Sequence, residues 1–165
     1  MIEIRTAQLE DAASLAKVIE SAEQAGTMLF APNERLLTEE QARKMIATFT
    51  LLETSQLFVA VDKNEVIGYL IVKGETSSRV RHRGYVVIGI AESYRGQGVG
   101  QALFAKAFEW AQSIHIRKLE LTVIQSNTAA VKLYEKVGFE IEGHKKHSLV
   151  IDGKFVDEYF MGKLL

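Results

Sequence analysis

The sequence predicts a mixed α/β (α+β) domain, because two hydrophobic periodicities occur along one chain. Apolar and polar residues alternate in some segments, as in half-buried strands, whereas in others apolar residues recur every three or four positions, as on amphipathic helices. The 165 residues are 47% hydrophobic and 25% charged, which is ordinary for a globular protein. A chain of this length forms about one domain, and no Pro-, Gly- or Ser-rich linker divides it. We therefore expect one domain over residues 1–165.

The first half of the chain predicts a strand, two helices and a hairpin. Ile2–Arg5 alternates as a strand does. Apolar residues then recur at helical spacing from Glu10 until Gly26, and a second helix begins at Thr38, which has Gln41 at the spacing of a capping box. Two β-branched runs joined by a polar turn follow, and they predict hairpin strands at 56–61 and 66–72.

The second half predicts alternating strands and helices with a hairpin at the end. Gly138 suits the left-handed residue that ends a helix, and Asp152-Gly153 is a strong signal for a hairpin turn. The predicted elements are a strand at 80–90, a helix at 98–113, a strand at 118–124, a helix at 127–137 and strands at 139–151 and 155–161. The element order is therefore β-α-α-β-β-β-α-β-α-β-β.

Charge and cysteine content exclude several function classes. Twenty Lys and Arg residues oppose 21 Asp and Glu residues, so we expect neither a nucleic acid nor a membrane partner. The absence of Cys excludes disulfides, thiolate nucleophiles and Cys-ligated metals, and no His lies in an H-E-x-x-H motif. We expect no metal. Since the chain shows neither a signal-peptide pattern nor an apolar run of about 20 residues, we expect a cytoplasmic protein.

The glycine-rich segment before the 98–113 helix is the most informative. Three Gly residues at alternate positions leave a loop without side chains, so successive main-chain N–H groups converge on an anion at a helix N-terminus. A Walker A loop is excluded, because Gly100 is followed by Gln101 rather than Lys. A dinucleotide fingerprint started at Gly96 fails at its sixth position. The pattern R/Q-x-x-G-x-G/A fits Arg95, Gly98 and Gly100, and a flexible turn is the structural alternative.

A second segment places two polar side chains on one helix face. Asn127 and Tyr134 are seven residues apart, which is two helical turns, with Ala130 and Val131 between them. Small residues at the helix start let a ligand approach closely, and Tyr134 adds a hydroxyl near the helix end. The structural alternative is an N-cap Asn followed by a core Tyr.

Together the two segments resemble the GNAT N-acyltransferase superfamily. Its pyrophosphate motif is similar to Arg95-x-x-Gly98-x-Gly100, and its next motif is similar to Asn127-x-x-Ala130-x-x-x-Tyr134-x-x-x-Gly138-Phe139. The resemblance implies the GNAT fold, in which a central, mostly antiparallel sheet with one splayed parallel pair is flanked by helices. It also implies acetyl-CoA as co-substrate. The C-terminal hairpin resembles the branch of ribosomal-protein N-terminal, polyamine and amino-acid N-acetyltransferases.

The resemblance also implies roles for individual residues. The main chain of Ile88 and Ile90 would pair with the pantetheine arm, and Asn127 would contact that arm or the acceptor side. Tyr134 would bind near the cofactor sulfur and protonate the leaving thiolate. The pyrophosphate would be held by the loop residues Arg95, Gly96, Gln97, Gly98, Val99, Gly100 and Gln101.

The general base is where the sequence departs from the family pattern. Tyr85 lies near the position at which some related enzymes carry a Glu, and Glu92 lies too near the phosphate loop. His82 is a candidate base, since its ordinary pKa is close to neutral. The structural alternative is that His82 is an exposed residue in a turn. His144 and His147, in the last hairpin, are candidates for the acceptor cleft. A chain of water molecules without one essential base is the remaining alternative.

The expected function is acetyl-CoA-dependent transfer of an acetyl group to a primary amine of a small molecule or amino acid, by direct attack. The resemblance places the acceptor pocket at Thr27–Leu37 and the last hairpin. A protein N-terminus and a polyamine are alternative acceptors, and a non-catalytic CoA-binding module is an alternative of another class. We expect a homodimer, because an end strand would expose the apolar residues Phe155, Val156, Tyr159 and Phe160.

Overall fold

The computed structural model describes residues 1–165 and confirms the predicted order of strands and helices. Two single-turn 3-10 helices, at 9–11 and 92–94, are added to it. None of the helices is both long and apolar enough to cross a membrane. The elements are β1 Glu3–Thr6, α1 Ala12–Gln24, α2 Glu39–Leu51, β2 Gln56–Asp62, β3 Glu65–Gly74, β4 Arg83–Ile90, α3 Val99–Ser113, β5 Lys118–Ile124, α4 Thr128–Lys136, β6 Glu140–Ile151 and β7 Lys154–Leu164.

The local signals for caps and turns are confirmed in detail. Thr38 Oγ1 accepts a hydrogen bond from the Gln41 N–H at 3.1 Å, and Gln41 Oε1 accepts one from the Thr38 N–H at 2.9 Å. Gly138 follows α4 with a φ of 104°. The predicted strand at 80–90 was three residues too long, because 80–82 form a turn closed by the Arg83 N–H on the Val80 carbonyl.

The seven strands form one sheet in the order β1-β2-β3-β4-β5-β7-β6. Every neighbouring pair is antiparallel except β4 and β5, which are parallel. Their pairing covers only the first part of β4 and ends at Tyr85 opposite Glu120. Beyond that position the two strands separate, so the sheet has a gap between the second halves of β4 and β5.

Two hydrophobic cores hold the sheet from opposite faces. On one face α3 buries Leu103 and Phe104 against Leu119 of β5, and α4 packs beside them. On the other face α1 and α2 cover β2 and β3, with Leu15 of α1 and Tyr69 of β3 fully buried. Burying one such side chain contributes about 1.5–3 kcal/mol. Both strands beside the gap are therefore anchored in packed layers.

The order of the last two strands corrects one expectation. The apolar residues expected on an end strand, among them Phe155 and Phe160, belong to β7, which lies between β5 and β6. The edge strand is β6, and sequence order does not reveal this because β7 inserts between its hairpin partner and β5. Phe155 is exposed at the end of the hairpin, whereas Phe160 is half-buried.

An ion pair connects β1 to the start of α1. Asp11 is buried and accepts hydrogen bonds from Arg5 Nη1 at 2.7 Å, Arg5 Nη2 at 2.9 Å and the Gln8 N–H at 2.7 Å. Burial alone would raise the pKa of Asp11, but the bonds from Arg5 and Gln8 outweigh it, and the pKa is lowered. A carboxyl group with a lowered pKa in the folded chain stabilises the fold as long as it is ionised.

Replacing Asp11 with Ala should lower the free energy of unfolding at pH 7 by about 3 kcal/mol, the low end for breaking a buried pair. The difference from the parent chain should be full above the unfolded-state pKa of about 4 and shrink as the pH falls below it. Urea unfolding at pH 7 and pH 3 measures both effects. The exposed neighbour Glu10→Ala is the control, and equal losses for the two variants at pH 7 would contradict the assignment.

Candidate active site

The gap between β4 and β5 opens into a cavity of about 1150 Å³ that extends through the sheet. One end of the cavity lies at the glycine-rich loop before α3. The other lies on the opposite face, between residues 27–30 after α1 and the β6–β7 hairpin. The far wall thus consists of the two segments in which the family resemblance places the acceptor.

The main chain of β4 has unused hydrogen-bonding groups along this gap. The Ala91 N–H donates to the Ile67 carbonyl beside β3, whereas the His82 carbonyl accepts from the Lys118 N–H of β5. Alternate residues of a strand direct their main-chain groups to opposite sides. Ile88 and Ile90 share the orientation of His82, so their N–H and C=O groups point into the gap, where β5 no longer pairs with them. Of these four groups, the Ile90 carbonyl alone has a partner, which is Arg95 Nε.

The glycine-rich loop presents a row of free main-chain N–H groups. None of the main-chain N–H groups of residues 96–101 donates a hydrogen bond to another part of the chain. Gly96 and Gly98 have φ values of 72° and 83°, which strongly favour Gly. Arg95 Nε donates to the Ile90 carbonyl at 3.1 Å, and Gln97 Nε2 donates to the Ser93 carbonyl at 2.8 Å, which fixes the loop. The donors stand at the positive end of the 15-residue helix α3.

The third glycine of the motif serves a different purpose. Gly100 lies inside α3, and a Cβ at this position would be 2.8 Å from Leu133 Cδ2 and 3.2 Å from Ile90 Cδ1. Its missing side chain lets α3 approach α4 and β4 closely. The sequence pattern predicts one shared role for the three glycines. In the structure, Gly96 and Gly98 serve the conformation of the loop backbone, whereas Gly100 serves the packing of α3.

Asn127 and Tyr134 lie at opposite ends of α4, and both line the cavity. Asn127 caps the helix, since its Oδ1 accepts from the Ala130 N–H at 3.3 Å, and its side-chain amide donates no bond within the chain. The Tyr134 ring packs edge-on against Phe104 and Phe139, with centroids 5.9 and 6.1 Å away. The two structural roles predicted as alternatives, an N-cap Asn and a core Tyr, are therefore both present. In addition, the side-chain amide of Asn127 is free at the cavity.

The hydroxyl of Tyr134 forms no hydrogen bond within the chain. Burial of the ring raises the pKa of Tyr134 to about 12, and the Tyr85 phenol nearby acts in the same direction. A phenol with this pKa keeps its proton throughout the neutral range. Tyr134 therefore presents a protonated hydroxyl at the edge of the gap.

A hydrogen bond that the sequence reasoning missed closes the base of the gap. Tyr85 of β4 and Thr122 of β5 share a hydrogen bond of 2.7 Å between their hydroxyl oxygens. Tyr85 belongs to the last paired position of the two strands, and Thr122 lies two residues beyond its partner Glu120. The sequence contains a signal for this hydrogen bond. The alternation of apolar and polar residues in β4 and β5 places the side chains of Tyr85 and Thr122 on the same face of the sheet, away from α3.

The candidate histidines do not gather at the cavity. His82 lies exposed in the turn before β4, where its carbonyl accepts from the Arg117 and Lys118 N–H groups. His144 Nε2 lies 2.9 Å from Asp157 Oδ2, and the His147 ring stacks on Phe155 at 4.4 Å. No His lines the cavity, so the structure brings His82 together with none of the other predicted site residues.

The acceptor-side wall contains buried charges that the sequence reasoning did not single out as site residues. Glu23 of α1 is buried and accepts from Arg35 Nε at 2.7 Å, and the Arg35 guanidinium lies over the Phe30 ring at 4.0 Å. Glu158 of β7 is also buried, and Ser148 Oγ of β6 donates to its Oε1 at 2.5 Å. Helix packing brings Glu23 to the cavity and strand pairing brings Glu158 there, and both depend on contacts between distant segments.

Comparison with known proteins gives concordant matches. The family model described as acetyltransferase (GNAT) family matches residues 15–139. The L-amino acid N-acetyltransferase AaaT of Escherichia coli is 32% identical over 110 residues, which is 66% of this chain and 67% of that protein. The chain spans about half the length of the curated relatives next in similarity.

Two solved structures have the same fold. A GNAT-family acetyltransferase from Streptococcus pneumoniae has a TM-score of 0.93 and 34% identity, covering 100% of this chain and 99% of its own. A putative acetyltransferase from Salmonella typhimurium, solved with its cofactor acetyl-CoA, has a TM-score of 0.89 and 18% identity, covering 99% of this chain and 94% of its own.

The first of these structures confirms the predicted GNAT fold, including the splayed parallel pair within a mostly antiparallel sheet. The family model covers the glycine-rich loop and all of α4. On both grounds, this chain belongs to the GNAT family of acetyltransferases.

Proposed function

We propose that residues 1–165 form a single acetyl-CoA-dependent N-acetyltransferase domain that acetylates a primary amine of a small molecule or amino acid. The unused main-chain N–H groups of residues 96–101, at the start of α3, carry this proposal. Such groups at a helix N-terminus bind phosphate groups, and the gap beside β4 continues from them. The E. coli relative named as an L-amino acid N-acetyltransferase supports the acceptor class.

The chain offers a continuous path for the co-substrate. The loop N–H groups would hold the pyrophosphate of acetyl-CoA. The N–H and C=O groups of Ile88 and the N–H group of Ile90, which face the gap, would pair with the amides of the pantetheine arm. The free side-chain amide of Asn127 would contact the arm from the side of α4. The acetyl-CoA held in the Salmonella structure of the same fold supports this assignment.

The remaining groups of the site would transfer protons and stabilise the negative charge on the acyl oxygen. Bound acetyl-CoA supplies a thioester, whose carbon–sulfur bond breaks as the amine nitrogen bonds to the acyl carbon. A main-chain N–H of β4 that points into the gap and is not paired with the pantetheine arm can donate to the acyl oxygen as negative charge develops there. Tyr134 O–H gives its proton to the departing sulfur. The proton lost by the amine leaves through water in the cavity, beside the Tyr85 and Thr122 hydroxyls, and we assign no role to His82.

The alternatives differ in what they require of the site. A protein N-terminus or a polyamine would enter the same acceptor side, and release of free CoA thiol across a panel of amines, amino acids and peptides distinguishes them. A non-catalytic CoA-binding module does not require a protonated phenol at the gap. The proposed enzyme requires thiol release with at least one member of the panel, whereas such a module would bind acetyl-CoA without any turnover.

Replacing Gly98 with Ala should weaken acetyl-CoA binding by about tenfold or more. The positive φ costs a side chain about 1–2 kcal/mol, and relaxation of the loop would misalign N–H groups, each worth about 1.5–3 kcal/mol when bonded to a charged partner. Calorimetric titration with acetyl-CoA measures the change. Gly153→Ala is the matched control, since Gly153 has a similar φ of 74°, equally open surroundings and a distant place in the β6–β7 turn. Equal affinities for the two variants would contradict the loop assignment.

Replacing Tyr134 with Phe should lower kcat by roughly 10²–10⁴-fold, as is typical for a proton-transfer group, with acetyl-CoA affinity unchanged. Phe keeps the ring that packs against Phe104 and Phe139, so a packing role would survive. Steady-state kinetics at saturating acceptor measures the effect, with Tyr159→Phe, outside the cavity, as control. Near-parental turnover of Tyr134→Phe would show that another group protonates the sulfur.

We also propose a cytoplasmic homodimer. The edge strand β6 has twelve residues with an unpaired outer side, and Val150 and Phe155 are 66% and 65% exposed at the hairpin. Exposed edges of this kind are commonly covered by a partner. Sedimentation at high micromolar concentration should give a mass of twice 18.4 kDa, or about 36.8 kDa. A mass near 18.4 kDa would contradict the dimer.

A further inference from the structure

One buried carboxylate in the chain has no cationic partner. Three acidic side chains are buried, namely Asp11, Glu23 and Glu158. Asp11 is paired with Arg5 and Glu23 with Arg35. Glu158 takes part in no ion pair, and its single side-chain partner is the hydroxyl of Ser148. Because burying a carboxylate is costly unless a cation balances it, the exception requires an explanation.

The strand register places Glu158 beside the gap. Glu158 pairs with Ile124 and Phe160 with Thr122 across β5 and β7. Glu158 therefore lies on the same face as Thr122, whose hydroxyl bonds to Tyr85 across the gap. Diagonal neighbours on one face of a sheet are about 7–8 Å apart, so the carboxylate stands one step from the base of the gap, and it lines the cavity.

The charges around Glu158 leave this position open to a cation. Lys145, opposite Glu158 on β6, also lines the cavity, but its side chain is exposed and forms no ion pair with the carboxylate. Arg35 is already paired with Glu23, and Lys73 lies on β3, beyond β4 and β5. The surrounding wall is otherwise mainly apolar, with Phe30, Ile71, Leu149 and Phe160 among its residues.

We propose that Glu158, oriented by Ser148, binds the ammonium group of the acceptor, which is a primary amine carried on an apolar body. This inference rests on the proposed function, because it takes the cavity on this face as the acceptor site. The incoming ammonium is the missing counter-charge, and its N–H groups bond to the carboxylate oxygens. Glu158 holds the ammonium beside Tyr85 and Thr122, facing the gap. The nitrogen attacks only after the ammonium has given one proton to water in the cavity, which frees its lone pair.

Binding of n-hexylammonium, compared with its neutral isostere hexan-1-ol, tests the proposal directly. At pH 7 an alkylamine with a pKa of about 10 is almost fully protonated. Calorimetric titration of the parent chain should show at least about tenfold tighter binding of the ammonium. Glu158→Gln, which keeps the size and an oxygen for Ser148, should reduce ammonium affinity to about that of the alcohol.

Asp157→Asn is the matched control. Asp157 is the next residue on the opposite face of β7, bonds to His144 and the His147 N–H, and does not line the cavity. This variant should keep the preference for the ammonium. Thermal unfolding of each variant establishes that it is folded. The parent comparison needs no variant, so a folding failure of Glu158→Gln leaves a decisive measurement.

Equal binding of ammonium and alcohol by the parent chain would overturn the proposal, as would equal ammonium affinity of the parent and a folded Glu158→Gln. CoA thiol release separates this outcome from failure of the proposed function. Turnover with hexylamine and a KM unchanged by Glu158→Gln would refute the role of Glu158 and leave the enzyme assignment intact. If Glu158→Gln loses ammonium binding but the parent releases no CoA thiol with any member of the amine panel, the role of Glu158 in binding stands and the enzyme assignment is refuted.

Discussion

The early end of the pairing between β4 and β5 is the constraint on which the rest of the site depends. If the two parallel strands paired beyond Tyr85 and Glu120, the main-chain groups of Ile88 and Ile90 would form hydrogen bonds within the sheet. No passage would then connect the two faces of the sheet. An unpaired main-chain group that is shielded from water costs about 1–3 kcal/mol. The gap is tolerated because these groups face a cavity, and because separate cores on the two faces fix the strands on either side.

The two faces of the sheet divide the chemistry between them. On the face of α3 and α4 lie the anion-binding loop, the Asn127 amide and the Tyr134 phenol, whose pKa is raised by apolar packing. On the face of α1 and α2 lie Tyr85, Thr122 and the buried charges of Glu23 and Glu158. A thioester in the gap would therefore meet its proton donor from one side and its nucleophile from the other. Direct attack requires this arrangement, since the incoming nitrogen and the departing sulfur bond to the same carbon.

Local sequence signals predicted the order of the elements, the capping box at Thr38, the Asp152-Gly153 turn and the position of the glycine-rich loop, because each depends on neighbouring residues. The order of β6 and β7 was not predictable in the same way, since strand insertion depends on contacts between distant segments. The same limit applies to the site. Tyr85 and Thr122 are 37 residues apart, and the missing partner of Glu158 is visible only once the burial of every charged group is known.

Gly100 connects the two parts of the cofactor site through one packing contact. The absent Cβ brings the first turn of α3 against Leu133, and Leu133 directly precedes Tyr134. The helix that presents the loop N–H groups and the helix that presents the phenol are therefore held in a fixed relation by a close approach that only Gly permits. A larger residue at 100 would displace Leu133 or Ile90, and with it either the Tyr134 phenol or the strand beside the gap. Gly98 and Gly100 are thus separated by a single residue yet differ in their roles, since Gly98 shapes the loop whereas Gly100 sets the distance between the loop and the Tyr134 phenol.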